Sequence, residues 1–433
     1  MGSHPVADVL LLQGGTVVDS TGSRRADVAV NDGRVAAVEP EIEAGRGVRV
    51  LDASGCVIAP GLVDLHAHLR EPGREEAETI ETGSRAAALG GYTGVLAMPN
   101  TEPPIDDASV VRQVQRLALS ALCDVEVSAA ITVGRAGLQL APMAELASLG
   151  VRIFTDDGTG VQDGRLMRRA LEYASDLGVT LAQHCEDEAL AAGGHMHEGA
   201  WSSRLGVPGI PAEAEELMVL RDLALCRLTG ARVHFLHLST AGSVAMVGAA
   251  KAQGLPVTAE AAPHHFVLTD AAAAGFDPVF KVNPPLRTDA DVAAVRVGLA
   301  NGAIDAIATD HAPHTVEAKD EPWDQAPCGM LGLETALALA LTELDLPIER
   351  VLALLSWQPA TIAGIRDRHG GPIAVGAAAN LCVFDPQEQW VVDRHRLASR
   401  AHNTPYDGRK LRGRVRHTVH AGEAVVVDGE AQR

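Results

Sequence analysis

The chain has 433 residues, 47% of them hydrophobic, and its 36 lysines and arginines stand against 56 aspartates and glutamates for a formal net charge of −20. So acidic a protein is a poor partner for nucleic acid or an anionic membrane, although bound cations can reverse the sign locally, and so apolar a one builds a core rather than staying disordered. No apolar run reaches the roughly 18 residues of a membrane span, and the six scattered cysteines (Cys56, Cys123, Cys185, Cys226, Cys328, Cys382), with no C-x-x-C pair, suit free thiols in a reducing cytoplasm better than a disulfide frame.

The opening MGSHPV lacks the basic-then-apolar build of a secretory signal, and Gly2-Ser3-His4 reads as a cloning remnant. Residues 8–57 carry short alternating stretches with turn signals at Gly14-Gly15, Asn31-Asp32-Gly33 and Ser54-Gly55, which predicts short strands. From there the pattern changes to eight short apolar runs ending in polar residues: 62–68, 94–100, 125–131, 151–157, 179–185, 233–239, 257–263 and 304–310. Amphipathic helical stretches at 78–89, 165–177, 213–228, 243–252 and 289–299 lie between them, and another at 333–344 follows the last. Strand and helix alternating in this way predict an α/β chain, a (β/α)8 barrel of the TIM type rather than a doubly wound open sheet. Residues 380–428 return to short strands, at 391–392, 415–419 and 425–427. Neither end alone makes a stable sheet, so the two are expected to combine into a small β-sandwich, 1–58 plus 370–433, beside a catalytic barrel over 59–369.

The polar run ends carry the chemistry. His66 and His68 are two apart on a strand, so both rings leave one face, and paired imidazoles suit a metal. The fourth run ends in Asp156-Asp157, the fifth holds His184, the sixth His237 and the eighth Asp310. A lone histidine in an apolar strand is usually a satisfied core residue. Four histidines and two carboxylates ending separate runs, all on the side where barrel enzymes keep their active sites, point to metal binding instead. Six ligand groups exceed one tetrahedral site and suit two cations about 3.5–4 Å apart. His66, His68 and Asp310 would hold one, His184 and His237 the other, and an aspartate would bridge. Neighbours on a strand face opposite ways, so only one of Asp156 and Asp157 can enter the site.

These residues resemble the amidohydrolase superfamily and, within it, the bacterial type I dihydroorotases. The resemblance covers nearly the whole chain and rests on GLVDLHAHLREPG (61–73), AMPNT (97–101), FTDDG (154–158), AQHCE (182–186), HFLHLST (234–240), APHH (262–265), VNPPLR (282–287) and ATDHAPH (308–314). It implies reversible cyclisation of N-carbamoyl-L-aspartate to L-dihydroorotate in pyrimidine synthesis, with two Zn2+ per subunit. The implied ligands are His66, His68, Asp157, His184, His237 and Asp310, with Asp157 as the bridge. Histidine and carboxylate ligands also accept Mn2+ or Co2+. Related hydantoinases, dihydropyrimidinases and allantoinases bridge their metals with a carbamylated lysine on strand four. Residues 150–158 contain no lysine, which weakens that alternative. The resemblance further suggests a homodimer, associated in some members with aspartate transcarbamoylase.

In the hydrolytic direction a metal-activated water would attack the ring carbonyl, and Asp310 would carry its proton to the leaving nitrogen. The substrate carboxylate needs a separate anchor: Arg70 offers a bidentate fork, Asn100 an amide donor and His314 a further contact, beside His68. Asn283, Cys328 and Gly329 are implied substrate contacts by family position. His264 and His265 read as supporting or packing residues, since the ligand set is already filled. The polar segment 315–327 is either a lid over the site or a static surface loop.

Overall fold

The computed structural model describes residues 9–433; the MGSHPV opening, the Gly2-Ser3-His4 feature and the start of the 1–58 segment lie outside the described residues. Eight strands succeed one another through the middle of the chain: β1 (Leu62–Ala67), β2 (Tyr92–Ala97), β3 (Asp124–Val127), β4 (Ile153–Thr155), β5 (Thr180–Gln183), β6 (Arg232–Phe235), β7 (Val257–Ala261) and β8 (Ala306–Ile307). Parallel ladders run through β1–β2–β3 and through β4–β5–β6–β7–β8. Single parallel bridges join Ala129 to Phe154 and Ala67 to His311. Parallel strands covered on both faces read as unbroken apolar runs. Accordingly every residue of β1, β2, β4, β5 and β8 is buried.

The strands are shorter than the apolar runs that announce them. The run 151–157 holds a strand only over Ile153–Thr155, and 304–310 only over Ala306–Ile307. The polar residues at the carboxyl ends leave the ladder and bend inward. His237 and Asp310 do so at positive φ, 29° and 48°, as does Arg70 beyond β1 at 61°, a backbone region that non-glycine residues seldom adopt.

The helices between strands bury one stripe each. In Gly164–Leu177, Met167, Ala170, Leu171 and Ala174 are buried at helical spacing, Asp163 caps the first turn, and Gly178 ends the helix in the left-handed conformation. Deleting one such large side chain, as in Leu171→Ala, costs about 2–5 kcal/mol. Ala108–Leu117, capped by Asp107, is a helix that was not among those read from the sequence. No helix among the described residues is long and apolar enough to cross a membrane.

Strands from the two ends of the chain share a seven-stranded sheet. In it Leu381–Val391 lies between Val57–Pro60 and Lys410–His420, with Leu381 opposite Pro60. A four-stranded sheet sets Leu10–Gln13 between Asp27–Asn31 and Arg49–Asp52. Leu12, Val28, Ile58, Leu381, Val383 and Val419 form a core between them, separate from the larger core under β1–β8. Asp124, at the start of β3, links the parts: its carboxylate accepts from His369 Nε2 at 2.9 Å and from His420 Nε2 at 3.0 Å, and pairs with Arg368 at 2.7 Å.

Candidate active site

The carboxyl ends of β1, β4, β5, β6 and β8 deliver six ligand-type side chains to one place. Asp157 is at the centre. Its Oδ1 lies 3.5 Å from His66 Nε2, 3.6 Å from His184 Nδ1 and 3.5 Å from His237 Nε2, and its Oδ2 lies 3.6 Å from His68 Nε2. His66, His68 and Asp157 form one trio of ligand-type atoms within 4.8 Å of one another; Asp157, His184 and His237 form a second. Asp310 Oδ1 sits 3.3 Å from His68 Nε2 and 3.6 Å from His66 Nε2. All six residues are buried.

Of the two adjacent aspartates only Asp157 faces this cluster. Asp156 turns the other way, and its Oδ1 accepts from the backbone of Ile131 at 2.8 Å and of Thr132 at 3.0 Å, while Oδ2 accepts from the Thr132 hydroxyl. Burial would raise the Asp157 carboxyl, but the four imidazoles around it, His66 foremost, hold it well below the usual range. Asp310 is likewise held down against burial, chiefly by His68 and His66.

The donor set fits divalent cations. His66 Nε2 is wholly buried and has no hydrogen-bond partner among the described residues, a costly state for an imidazole nitrogen unless something else takes its lone pair. His184 Nδ1 and His237 Nε2 lie 2.9 Å apart, both turned toward Asp157. Nitrogen and carboxylate ligands without sulfur suit Zn2+ and its neighbours.

A cavity of about 250 Å³ opens over the cluster and is lined by His68, Arg70, Asn100, Asn283, His314, Cys328 and Gly329 among others. Every sequence-predicted substrate contact therefore meets the same space. Arg70 is buried and, among the described residues, its side-chain contacts are to neutral groups rather than to an acid. The two acids nearest in sequence are engaged elsewhere: Glu71 accepts from Ile80 N and Glu75 from Gly73 N. Arg70 is instead aimed by its Nε, which donates to the Pro313 carbonyl at 3.1 Å, and its Nη2 lies 3.4 Å from His314 Nε2. Burial, with Arg74 adding repulsion, lowers its guanidinium to about 10. Burial and the Arg70 charge push His314 down to about 2, so its ring is neutral. Asn100 Oδ1 lies 2.8 Å from His68 Nδ1, an arrangement that leaves its amide N–H groups for a ligand. Asn283 Nδ2 donates to Glu186 at 3.1 Å. Gly329 stands at φ 134°, where a Cβ would come within 2.7 Å of Ala312 Cβ and 2.9 Å of His314 Nε2.

His264 and His265 are both buried; His264 Nε2 is 3.8 Å from Asp310 Oδ2, and His265 Nε2 donates to the Pro284 carbonyl at 3.0 Å. The segment 315–327 lines none of the cavity and is tied down. Lys319 Nζ donates to the carbonyls of Pro278 at 2.9 Å and Pro327 at 2.8 Å, and Trp323 is buried against Phe276. Those contacts hold the segment beside the cavity.

Three residues escaped the sequence reading. Arg74 lines the cavity mouth. Arg135, beyond β3, donates through Nη1 to the Asp157 carbonyl. Glu260, inside β7, contacts His66. Arg74 and Arg135 lie seven and eight residues past the ends of their strands, too far for position at a strand end to mark them; Glu260 is a lone acid in the run 257–263, a signal that a partner meets it there.

A family described as Dihydro-orotase-like matches residues 55–243. The chain is 49% identical over 426 residues to a dihydroorotase of Pelotomaculum thermopropionicum, covering 97% of this chain and 99% of the relative. It is 48% identical over 436 residues to a dihydroorotase of Anaeromyxobacter dehalogenans, covering 99% and 100%. Among solved structures it is similar to an L-hydantoinase (dihydropyrimidinase) from Arthrobacter aurescens, with a TM-score of 0.88 at 26% identity over 99% of this chain and 98% of that one. In fold alone it also matches a dihydropyrimidinase from Brevibacillus agri, with a TM-score of 0.85 at 23% identity over 98% and 96%. Near one-half identity along almost the full length of these relatives shows that the chain belongs to the dihydroorotase family of metal-dependent cyclic amide hydrolases.

Proposed function

We propose that the protein interconverts N-carbamoyl-L-aspartate and L-dihydroorotate, releasing water on ring closure, at a two-cation site in the mouth of a (β/α)8 barrel. The barrel is supported by the single bridges Ala129–Phe154 and Ala67–His311, which join the two parallel ladders and bring the last strand back to the first. The sheets shared by the two ends support a separate β-domain, 1–58 plus 370–433, beside a catalytic domain over 59–369.

His66, His68 and Asp310 would hold one Zn2+, His184 and His237 the other, with Asp157 common to both trios. Bound there, the cations supply Lewis-acid polarisation of a carbonyl and lower the pKa of water from 15.7 toward about 7. The chain's own groups do the rest. Arg70, Asn100 and His314 fix the substrate carboxylate, and Asn283 with the Cys328-Gly329 backbone positions the ring. In the hydrolytic direction a C–O bond forms at the ring carbonyl and the ring C–N bond breaks. Asp310 takes the proton from the attacking water and passes it to the leaving nitrogen.

The observation that carries this choice of substrate is Arg70, a buried guanidinium with no acid partner among the described residues, facing the same cavity as the histidine cluster. A ring without a carboxylate gives it nothing to bind. The test compares ring opening of dihydroorotate, dihydrouracil and hydantoin by the metal-loaded protein. Turnover of dihydroorotate alone is expected, and preference for either uncharged ring would reject the proposal.

A further inference from the structure

Glu260 lies within β7 and is fully buried, yet stands outside the ligand cluster. Its Oε1 is 2.9 Å from His66 Nδ1 and its Oε2 is 3.0 Å from His234 Nε2; His234 Nδ1 in turn lies 2.8 Å from the Thr258 hydroxyl. The pattern of donors along this chain has one consistent solution with neutral rings. An ionised carboxylate only accepts, so both imidazole nitrogens that face Glu260 carry hydrogen. His234 Nδ1 is then a lone pair and accepts the Thr258 hydroxyl. His66 Nε2 is also a lone pair, and it is the atom aimed at Asp157 and Asp310 at 3.5 and 3.6 Å.

A carboxylate buried this deeply costs several kcal/mol unless it is compensated, and two imidazole N–H groups compensate this one. His68, the other ring of the pair, is held by the neutral amide of Asn100 instead. The two rings of the H-x-H strand therefore differ in their support, and only His66 is backed by an anion.

We infer that Glu260 is a positioning residue for the metal centre: with His234 and Thr258 behind it, it locks His66 in the tautomer that presents Nε2 to a cation and makes that nitrogen a stronger donor. This role presupposes the two-cation site proposed above. Backing carboxylates of this kind are worth about 10–100-fold in metal affinity. Glu260→Gln keeps the shape but cannot accept from both rings, because its amide end meets an N–H on one side.

The experiment titrates the zinc-loaded wild type and Glu260→Gln with a chromophoric zinc chelator, and records ¹⁵N-histidine spectra of the loaded proteins. Wild type is expected to hold two zinc equivalents. In Glu260→Gln one of them should be held about 10–100-fold more weakly, with a changed Nδ1–H signal for His66 and an unchanged KM for dihydroorotate at saturating zinc. His234→Leu, which removes one donor and keeps the carboxylate, should give a smaller loss in the same zinc; it serves as the measurement if Glu260→Gln does not fold. Unchanged zinc affinity and an unchanged His66 tautomer in the variant overturn the role of Glu260 while leaving the two-cation site standing. A wild type that binds no zinc overturns both.

Discussion

Asp156 and Asp157 are adjacent in sequence and serve different parts of the molecule. The Asp157 carboxylate meets four imidazoles at 3.5–3.6 Å, whereas Asp156 accepts the backbone N–H groups of Ile131 and Thr132 beyond β3. The same substitution should therefore have opposite signatures at the two positions. Asp157→Asn should lose bound metal and turnover with little change in melting temperature of the metal-free protein. Asp156→Asn should keep both metals and lose about 1–3 kcal/mol of stability, the usual cost of weakening a buried acceptor. Metal analysis and thermal melts on the pair decide it; metal loss in Asp156→Asn would reverse the assignment.

Asp310 is the proposed proton carrier. Loss of a general base typically removes about 10²–10⁴ of the rate, and Asp310→Asn also weakens a ligand, so its turnover should fall by at least that much with the far-UV spectrum intact. A near-normal rate of dihydroorotate hydrolysis would refute the role.

Arg70→Lys retains charge but not the fork, nor the Nε donation to Pro313 that aims it. Hydrogen bonds to a charged group are worth about 1.5–3 kcal/mol, so KM should rise roughly 10–100-fold in both reaction directions, with a smaller change in kcat. Steady-state kinetics at saturating metal check this, and an unaltered KM would remove Arg70 from the substrate site.

Asp124 gives a pH prediction away from the catalytic cluster. Burial alone would raise its carboxyl, but His369 and His420 hold it below its ordinary value of 3.8. A carboxyl depressed in the folded state contributes stability that is present above the ordinary value and lost as pH falls through the folded one. Asp124→Asn should therefore destabilise the protein by about 1–3 kcal/mol at pH 7, and the gap from wild type should narrow in melts below the ordinary carboxylate range. A gap that is equal or wider in acid would contradict the linkage.

Much of the site was legible because the parallel strands carry their polar residues at their carboxyl ends. The runs holding His66, His184, His237 and Asp310 each change from apolar to polar where the chain leaves the ladder, and that change is visible in one dimension. Alternation on a strand admitted one of Asp156 and Asp157 but not which; the answer depends on where Ile131 and Thr132 present their N–H groups. Strand lengths were overread at the sixth and eighth runs because the chain leaves the ladder before His237 and Asp310, which stand at positive φ, a departure that apolar patterning does not mark. Glu260 stayed hidden because its partners, His66 and His234, lie 194 and 26 residues away.

The pairing of Leu381–Val391 with Val57–Pro60 has a consequence for biosynthesis of the protein. Val57–Pro60 leads directly into the strand that carries His66 and His68, yet its neighbour is made more than 300 residues later. The early part of the nascent polypeptide thus leaves the ribosome with an exposed edge that stays uncovered until Leu381–Val391 has emerged. Chain terminations or frameshifts between Asp310 and Leu381 should therefore yield aggregation-prone products, even though every ligand-type residue has already been synthesised.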